Sequence, residues 1–308
     1  TALVGRANQR LSTDPPTTEE AFADLEQAES ADSSIAGLQG AKALAYVSRA
    51  LAKALADQVI EAQADLREAR TLGAPDTKLS SAKQALAAAY LKVADTQAKA
   101  GQVADALKSR DQAATLGAAE GDLASINDQV ADAYLNQATT LAVSGDTSAA
   151  LNFLKAAREL NPDQPRLSQV EAMVHVQLAQ TAIKAGISDT ASAEFLVART
   201  LDPQVEGLGA LAAGLADGLV QRCEDQFTDA AFAEATAALQ TVTELEPDSE
   251  SLPGLKDRLG KVLVSQGDAA LADGSLPRVG AIIESLKTLN VLPGDQTSLA
   301  DGLFTSAS

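Results

Sequence analysis

Residues 145–162 read GDTSAALNFLKAARELNP, and residues 186–203 read GISDTASAEFLVARTLDP. Each stretch has Gly at its first position, Ala at its sixth and thirteenth, and Pro at its last. The apolar residues within each stretch recur at intervals of three and four, which is the spacing of one face of an α-helix. Gly and Pro are typical of the turns that flank a helix. The pattern therefore predicts an amphipathic helix whose two alanines allow a neighbouring helix to approach closely.

The same pattern recurs along the chain at an almost constant interval. Each such helix is predicted to end at a leucine, and the spacings are 44, 44, 41, 44 and 44 residues between Leu72, Leu116, Leu160, Leu201, Leu245 and Leu289. The turns that precede these helices have the same spacings, at Asp57, Gly101, Gly145, Gly186, Ala230 and Gly274. A fixed period of this size indicates tandem repeats. We therefore predict helical hairpins with first helices of about 20 residues, such as 78–99 and 122–143, and second helices of about 15.

The motif Gly-x4-Ala-x6-Ala-x4-Pro resembles the second helix of the tetratricopeptide repeat (TPR), and both quoted stretches match it at every position. The family's usual unit has 34 residues, so this repeat is about ten residues longer, and its groove should be deeper. The resemblance implies an all-α fold, a right-handed α-solenoid of seven tandem TPR-like helix hairpins with a short C-terminal capping helix. We expect one solenoid over residues 1–308, with repeats at about 1–32, 33–74, 75–118, 119–162, 163–203, 204–247 and 248–291, and the cap at 292–308.

The first repeat is abbreviated, since residues 2–12 supply only about half of a long first helix. We therefore expect the natural chain to continue upstream of Thr1. The sequence Thr17-Thr18-Glu19-Glu20 predicts a capping box at the start of the second helix. The Ala-rich, Lys-poor and acidic composition resembles the repeat portions of bacterial cell-envelope proteins, which implies a periplasmic or envelope location.

Catalytic chemistry is not expected. The single histidine, His175, continues a first-helix series with Tyr46, Tyr90 and Tyr134, and this series is typical of a packing position. One His without a second ligand at suitable spacing cannot build a zinc site. Cys223 occupies a position at which the other repeats have Ala or Gly. We therefore predict a protein that is not an enzyme, with no catalytic residues, cofactor or metal.

The charge of the chain excludes some partners. The formal net charge is −18, which opposes binding to a phosphate backbone, so nucleic acid is not an expected partner. No stretch is long and apolar enough for direct membrane insertion. Residues 201–250 contain eleven acids and only one base, Arg222. We favour a solvated surface for these acids over a docking surface for a basic partner.

The resemblance also implies where a partner binds. In the TPR family the first helices line a concave groove that receives peptides or helices, so we predict a protein–protein interaction scaffold with a protein or peptide partner, possibly itself. Mapping the groove-facing pattern onto this sequence gives Leu91, Leu135, Met173, Val176, Lys184, Val220, Phe227, Val264 and Leu271. Phe227 is the expected anchor, projecting outside the packed core. The alternative is a structural or self-assembling spacer of a larger membrane-anchored or envelope protein.

Overall fold

The computed structural model describes residues 1–225 and 227–289. Of the described residues 81% are helical, and no strand occurs among them. The helices are α1 (Ala2–Leu11), α2 (Thr18–Ala31), α3 (Leu38–Leu55), α4 (Val59–Thr71), α5 (Asp76–Lys99), α6 (Val103–Thr115), α7 (Glu120–Ser144), α8 (Thr147–Leu160), α9 (Leu167–Lys184), α10 (Ser188–Leu201), α11 (Leu208–Asp225), α12 (Asp229–Leu245), α13 (Leu252–Ala272) and α14 (Leu276–Leu289). The predicted all-α repeat fold is confirmed. The predicted capping helix at 292–308 lies outside the described residues.

The helices pack as hairpins, and neighbouring hairpins pack on one another. Contacts within hairpins join α1 to α2, α3 to α4, α5 to α6, α9 to α10, α11 to α12 and α13 to α14. First helices of neighbouring hairpins also contact each other, as in α3 with α5 and α11 with α13. The first helices α5 and α7 have 24 and 25 residues and exceed the predicted length by a few residues at their N-terminal ends.

Tight turns connect the two helices of a hairpin. Gly145 and Gly186 adopt φ values of 89° and 72°, in the left-handed region that glycine enters without a Cβ clash. Asp57 occupies the equivalent turn with φ of 60° and is the only described non-glycine residue with a positive φ. These turns explain why glycine recurs with the period of the repeat.

The chain divides into two compact units. Among the described residues, unit 1 comprises 1–136 and 155–164, and unit 2 comprises 137–154, 165–225 and 227–289. In unit 1 the motif alanines of α4 and α6, including Ala62, Ala69 and Ala113, are completely buried among larger apolar residues. In unit 2 the largest fully buried side chains are leucines, and those between α11 and α14 are Leu211, Leu239, Leu259, Leu263 and Leu286.

Two buried carboxylates connect the helices of the first two hairpins in unit 1. Asp65 on α4 accepts hydrogen bonds from Nε and Nη2 of Arg49 at 2.9 and 2.8 Å, and Lys53 Nζ lies 2.8 Å from its Oδ2. Burial alone would raise the pKa of Asp65, but the hydrogen bonds and charges of Arg49 and Lys53 outweigh burial and hold it below its ordinary value. Asp24 on α2 has the same arrangement with Arg6 and Arg10 of α1.

The predicted capping box at the start of α2 is wrong. Thr17 is the N-cap residue, but its side chain makes no capping hydrogen bond. Instead, the Thr17 amide donates to the Arg10 carbonyl at 3.2 Å, and Arg10 Nη1 donates to the Glu20 carbonyl at 2.7 Å. The Arg10 carbonyl therefore takes the Thr17 amide that the Glu20 side chain would accept in a capping box, and the Arg10 guanidinium links α1 to α2. Glu19 and Glu20 still lie in the first turn, where negative charge favours the helix dipole.

Candidate binding crevice

Three of the predicted groove residues are covered by the protein itself. Leu135 and Val220 have no exposed surface, and Val176 is 2% exposed. Val176 and Val220 belong to the core of unit 2, where they pack between helices of adjacent hairpins. The expectation that these three residues line an accessible groove is therefore wrong. A first helix such as α9 packs against its own second helix, α10, and against the next first helix, α11. A residue at the edge of its groove-facing side is therefore buried by the next hairpin.

The other predicted groove residues are partly buried or exposed. Leu91 belongs to unit 1 and is half-buried against its core. Met173, Val264 and Leu271 are partly buried and pack against the core of unit 2. Lys184 is exposed at the C-terminal end of α9.

Phe227 does not lie outside the packed core as predicted. It follows the end of α11, is partly buried, and packs against the core of unit 2. Its ring centroid lies 6.2 Å from that of Phe232, at a mutual tilt of 35°. This geometry is typical of a stabilising aromatic pair. Phe227 therefore connects the α11–α12 turn to the core and is not a free anchor.

Substitution of Phe227 tests this assignment. Phe227→Ala is expected to lower the free energy of unfolding by about 1–2 kcal/mol, less than for a fully buried Phe because the ring is only partly covered. Val143→Ala is the control, since Val143 lies in the last turn of the first helix α7 and is 67% exposed, and it should change stability very little. Urea denaturation followed by circular dichroism measures both. Equal stability of the two variants would show that Phe227 contributes nothing to the core.

An open crevice of about 510 Å³ lies between α10 and α12, in unit 2. Helix α11 forms its floor, and α10 and α12 form its walls. The residues that line it are Asp189, Ser192, Ala193, Phe195, Leu196, Ala212, Leu215, Leu219, Glu234, Ala237, Ala238 and Thr241. We call this the α10–α12 crevice. The small side chains of Ala193 and Ala237 on the facing walls are exposed, whereas the floor residues Ala212, Leu215 and Leu219 are at most 7% exposed.

The α10 wall presents unusually exposed apolar side chains. Leu196 is 59% exposed and lines the crevice, and the adjacent Val197 is 40% exposed but does not line it. Phe195 also lines the crevice, but it is only 6% exposed and belongs to the core of unit 2. Three consecutive apolar residues cannot all face one side of a helix. The run Phe195-Leu196-Val197 was therefore a sequence signal for exposed apolar surface that the groove mapping missed.

The rim of the crevice carries more negative than positive charge. Arg222 on α11 forms ion pairs with Glu234 on α12 and, at 3.7 Å, with Asp189 on α10. The Asp189 side chain is 96% exposed and that of Glu234 is about half exposed. One guanidinium therefore serves two carboxylates. A second cavity of about 450 Å³ is lined by Arg222, shares Leu215 with the crevice and has a more polar lining.

His175 and Cys223, the two residues considered for catalysis, both have structural roles. His175 Nδ1 lies 2.5 Å from Oε2 of Glu194, so the histidine joins α9 to α10. Cys223 is buried, and burial together with the charge of Glu224 raises the pKa of its thiol, which disfavours the reactive thiolate. Among the described residues no cluster of three or more His, Cys, Asp or Glu side chains could hold a metal ion.

The helices of the described residues 1–225 and 227–289 can also be compared with what spanning a membrane requires. None of the helices there combines the length and the apolar composition needed to cross a membrane.

Helical hairpins with small residues at their contacts define the class of this protein as an all-α helical repeat. Comparison with known proteins adds two structures. The chain is similar to the crystal structure of the P58(IPK) TPR domain, with 15% identity over 98% of this chain and 76% of that chain, at a TM-score of 0.33. It is also similar to YrrB, described as "a TPR protein with an unusual peptide-binding site", with 17% identity over 75% of this chain and 97% of that chain, at a TM-score of 0.24.

No protein-family model matches the chain, and no curated protein matches it in sequence. The class therefore rests on the repeated motif and on the packing of the helices in this chain.

Proposed function

We propose that this chain is a non-catalytic protein–protein interaction scaffold whose α10–α12 crevice captures a segment of a partner protein. The observation that carries the proposal is an open, largely apolar crevice with a 59% exposed leucine at its wall, in a chain with net charge −18. Contiguous apolar surface of this kind is costly to expose to water and is typical of interaction sites. A partner that covers the crevice removes that cost.

The available side chains support binding rather than catalysis. The lining contains two hydroxyls and two carboxylates but no His, Cys or Lys. The Thr241 hydroxyl already donates to the Ala237 carbonyl at 3.0 Å. No lining residue therefore combines a nucleophile with a general base that activates it. Apolar contacts and charge are what this surface offers to a partner.

The proposal is tested by selecting binding peptides on the full chain. A library of random peptides is enriched on the wild-type protein and then tested against Ala237→Arg, which fills the crevice. Ala233→Arg is the matched control, because Ala233 is an exposed residue of the same helix that does not line the crevice. We expect the selected peptides to lose at least about tenfold in affinity for the first variant and little for the second. Failure to enrich any peptide, or equal binding to both variants, contradicts the proposal.

A self-assembling spacer is the second candidate function. The observation in its favour is the exposure of two large apolar side chains on either side of the α3–α4 turn, 74% for Leu55 and 76% for Ile60. Self-repulsion between copies of charge −18 opposes it at low salt. Analytical ultracentrifugation over a range of protein and salt concentrations separates the two functions. Association that grows with salt and is lost in Leu55→Ser supports the spacer.

A further inference from the structure

We infer that the occupant of the α10–α12 crevice is an amphipathic α-helix of a partner protein whose apolar stripe is flanked by Lys or Arg. The inference rests on the proposed function of the crevice and specifies the chemistry of its partner. It follows from two independent features of the crevice, namely a floor of apolar side chains only and a negatively charged rim.

The apolar floor favours a helical occupant over an extended one. An extended segment brings unpaired backbone N–H and C=O groups with it, and these must find partners when water is excluded. The floor residues Ala212, Leu215 and Leu219 present only hydrocarbon, and their backbone groups belong to helix α11. Of the two wall hydroxyls, that of Thr241 already donates its proton to the Ala237 carbonyl. A helix satisfies its own backbone and can place apolar side chains on this floor without leaving polar groups unpaired.

The rim favours positive charge on the occupant. Glu244, an acid of α12 outside the crevice lining, has a cationic partner of its own, since Arg199 Nη2 lies 3.0 Å from its Oε2. In contrast, Asp189 and Glu234 share the single guanidinium of Arg222. A Lys or Arg beside the apolar stripe of a helix can therefore pair with a carboxylate that is only half neutralised.

The charge of the chain argues against a second copy as the occupant. Each copy carries −18, and residues 201–250, which include α11 and α12, contain eleven acids and one base. Two such surfaces repel each other at ordinary salt concentrations. A basic helix is attracted to the same surface, and its association is accelerated by the same field.

The test uses labelled peptides of about 16 residues, which form a helix of roughly 24 Å. The probe has leucines at positions i, i+3, i+4 and i+7 and lysines at both flanks. A second peptide has glutamates in place of the lysines. A third keeps the composition of the flanks but carries two central prolines, which prevent a helix. A fourth has serines in place of the leucines. Fluorescence anisotropy with the 308-residue chain measures each dissociation constant.

We expect the basic helical probe to bind at least about tenfold more tightly than each of the other three peptides. Ala237→Arg should weaken the probe by about tenfold and Ala233→Arg by less than about twofold. Asp189→Asn combined with Glu234→Gln should weaken binding and reduce its salt dependence, whereas Arg222→Gln should strengthen it several-fold because it frees both carboxylates. If Ala237→Arg fails to fold, Leu196→Ala replaces it, with the adjacent Val197→Ala as its control.

Each opposite result overturns the inference in a recognisable way. Equal binding of the proline peptide rules out a helical occupant, and equal binding of the glutamate peptide rules out the charge requirement. Equal binding of the serine peptide shows that the leucines do not contribute and that the interaction is nonspecific electrostatic attraction. If selected peptides bind the crevice but the basic helical probe does not, this inference is wrong while the scaffold function stands. If neither binds, both are wrong.

Discussion

Asp65→Asn is expected to lower the free energy of unfolding at pH 7 by about 2 kcal/mol. The carboxylate accepts hydrogen bonds from both Arg49 and Lys53 and has a side chain only 6% exposed. Asparagine keeps the shape but directs an NH₂ group at one of the two cations. The loss is smaller than for a fully buried ion pair because the side chains of Arg49 and Lys53 are 26% exposed and regain part of their hydration.

The pH dependence identifies the cause of this loss. The folded-state pKa of Asp65 is held below its ordinary value, so its ion pairs stabilise the protein above the unfolded pKa of about 3.9 and are lost as pH falls through the folded value. The difference in stability between wild type and Asp65→Asn should therefore shrink as pH falls below about 4.

Glu68→Gln is the control for Asp65→Asn, because it removes one negative charge from an exposed residue of the same helix. It should cost at most about 0.5 kcal/mol at any pH. Urea denaturation of the three proteins at pH 7 and at acidic pH measures these effects. If Asp65→Asn and Glu68→Gln behave alike, the Asp65 ion pairs contribute no specific stability.

The sequence predicted the features of the fold that depend on local spacing. The 44-residue period, the alanines at the helix contacts and the glycine turns each follow from residues only a few positions apart. Gly145 illustrates the reason, since a left-handed residue between two apolar stripes determines where one helix ends and the next begins. Such information is present in one window of sequence and needs no knowledge of neighbouring hairpins.

The binding surface depends on contacts that no local window contains. Whether Val176 is covered and Met173 only partly covered depends on the rotation of α9 against α11. These residues are three positions apart and lie on the same stripe of their helix. The crevice similarly combines α10 from one hairpin with α11 and α12 from the next. Its openness depends on Ala193 and Ala237, which are 44 residues apart.

The ion pairs of Asp65 were missed for a related reason. Its sequence neighbours give no sign of burial, because a single Asp in an Ala-rich helix is most often a solvated residue. The two bases lie on the preceding helix, with Arg49 sixteen residues away from Asp65. Only the packing of α3 against α4 shows that the Asp65 carboxylate pairs with both Arg49 and Lys53.

The motif alanines lead to the largest predicted loss of stability, which comes from overpacking. Ala113→Leu is expected to lower the free energy of unfolding by about 3 kcal/mol, the upper end for a small-to-large substitution in a packed core. Ala113 has no exposed surface and lies in the same cluster as Leu86 and Tyr90, two large residues of α5. The added isobutyl group can be accommodated only if α6 moves away from its neighbours, which would also separate the other apolar pairs along the hairpin.

The adjacent Ala114→Leu provides the control for this prediction. Ala114 belongs to the same helix but is exposed, and Leu and Ala have nearly equal helix propensity, so the change should cost less than about 0.5 kcal/mol. Urea denaturation monitored by helical circular dichroism compares the two variants, which differ by one residue position and carry the same substitution. A large difference shows that the small residue determines how closely neighbouring helices pack. If Ala113→Leu is no less stable than Ala114→Leu, the periodic alanines reflect composition alone, and close helix contact is not the reason for their spacing.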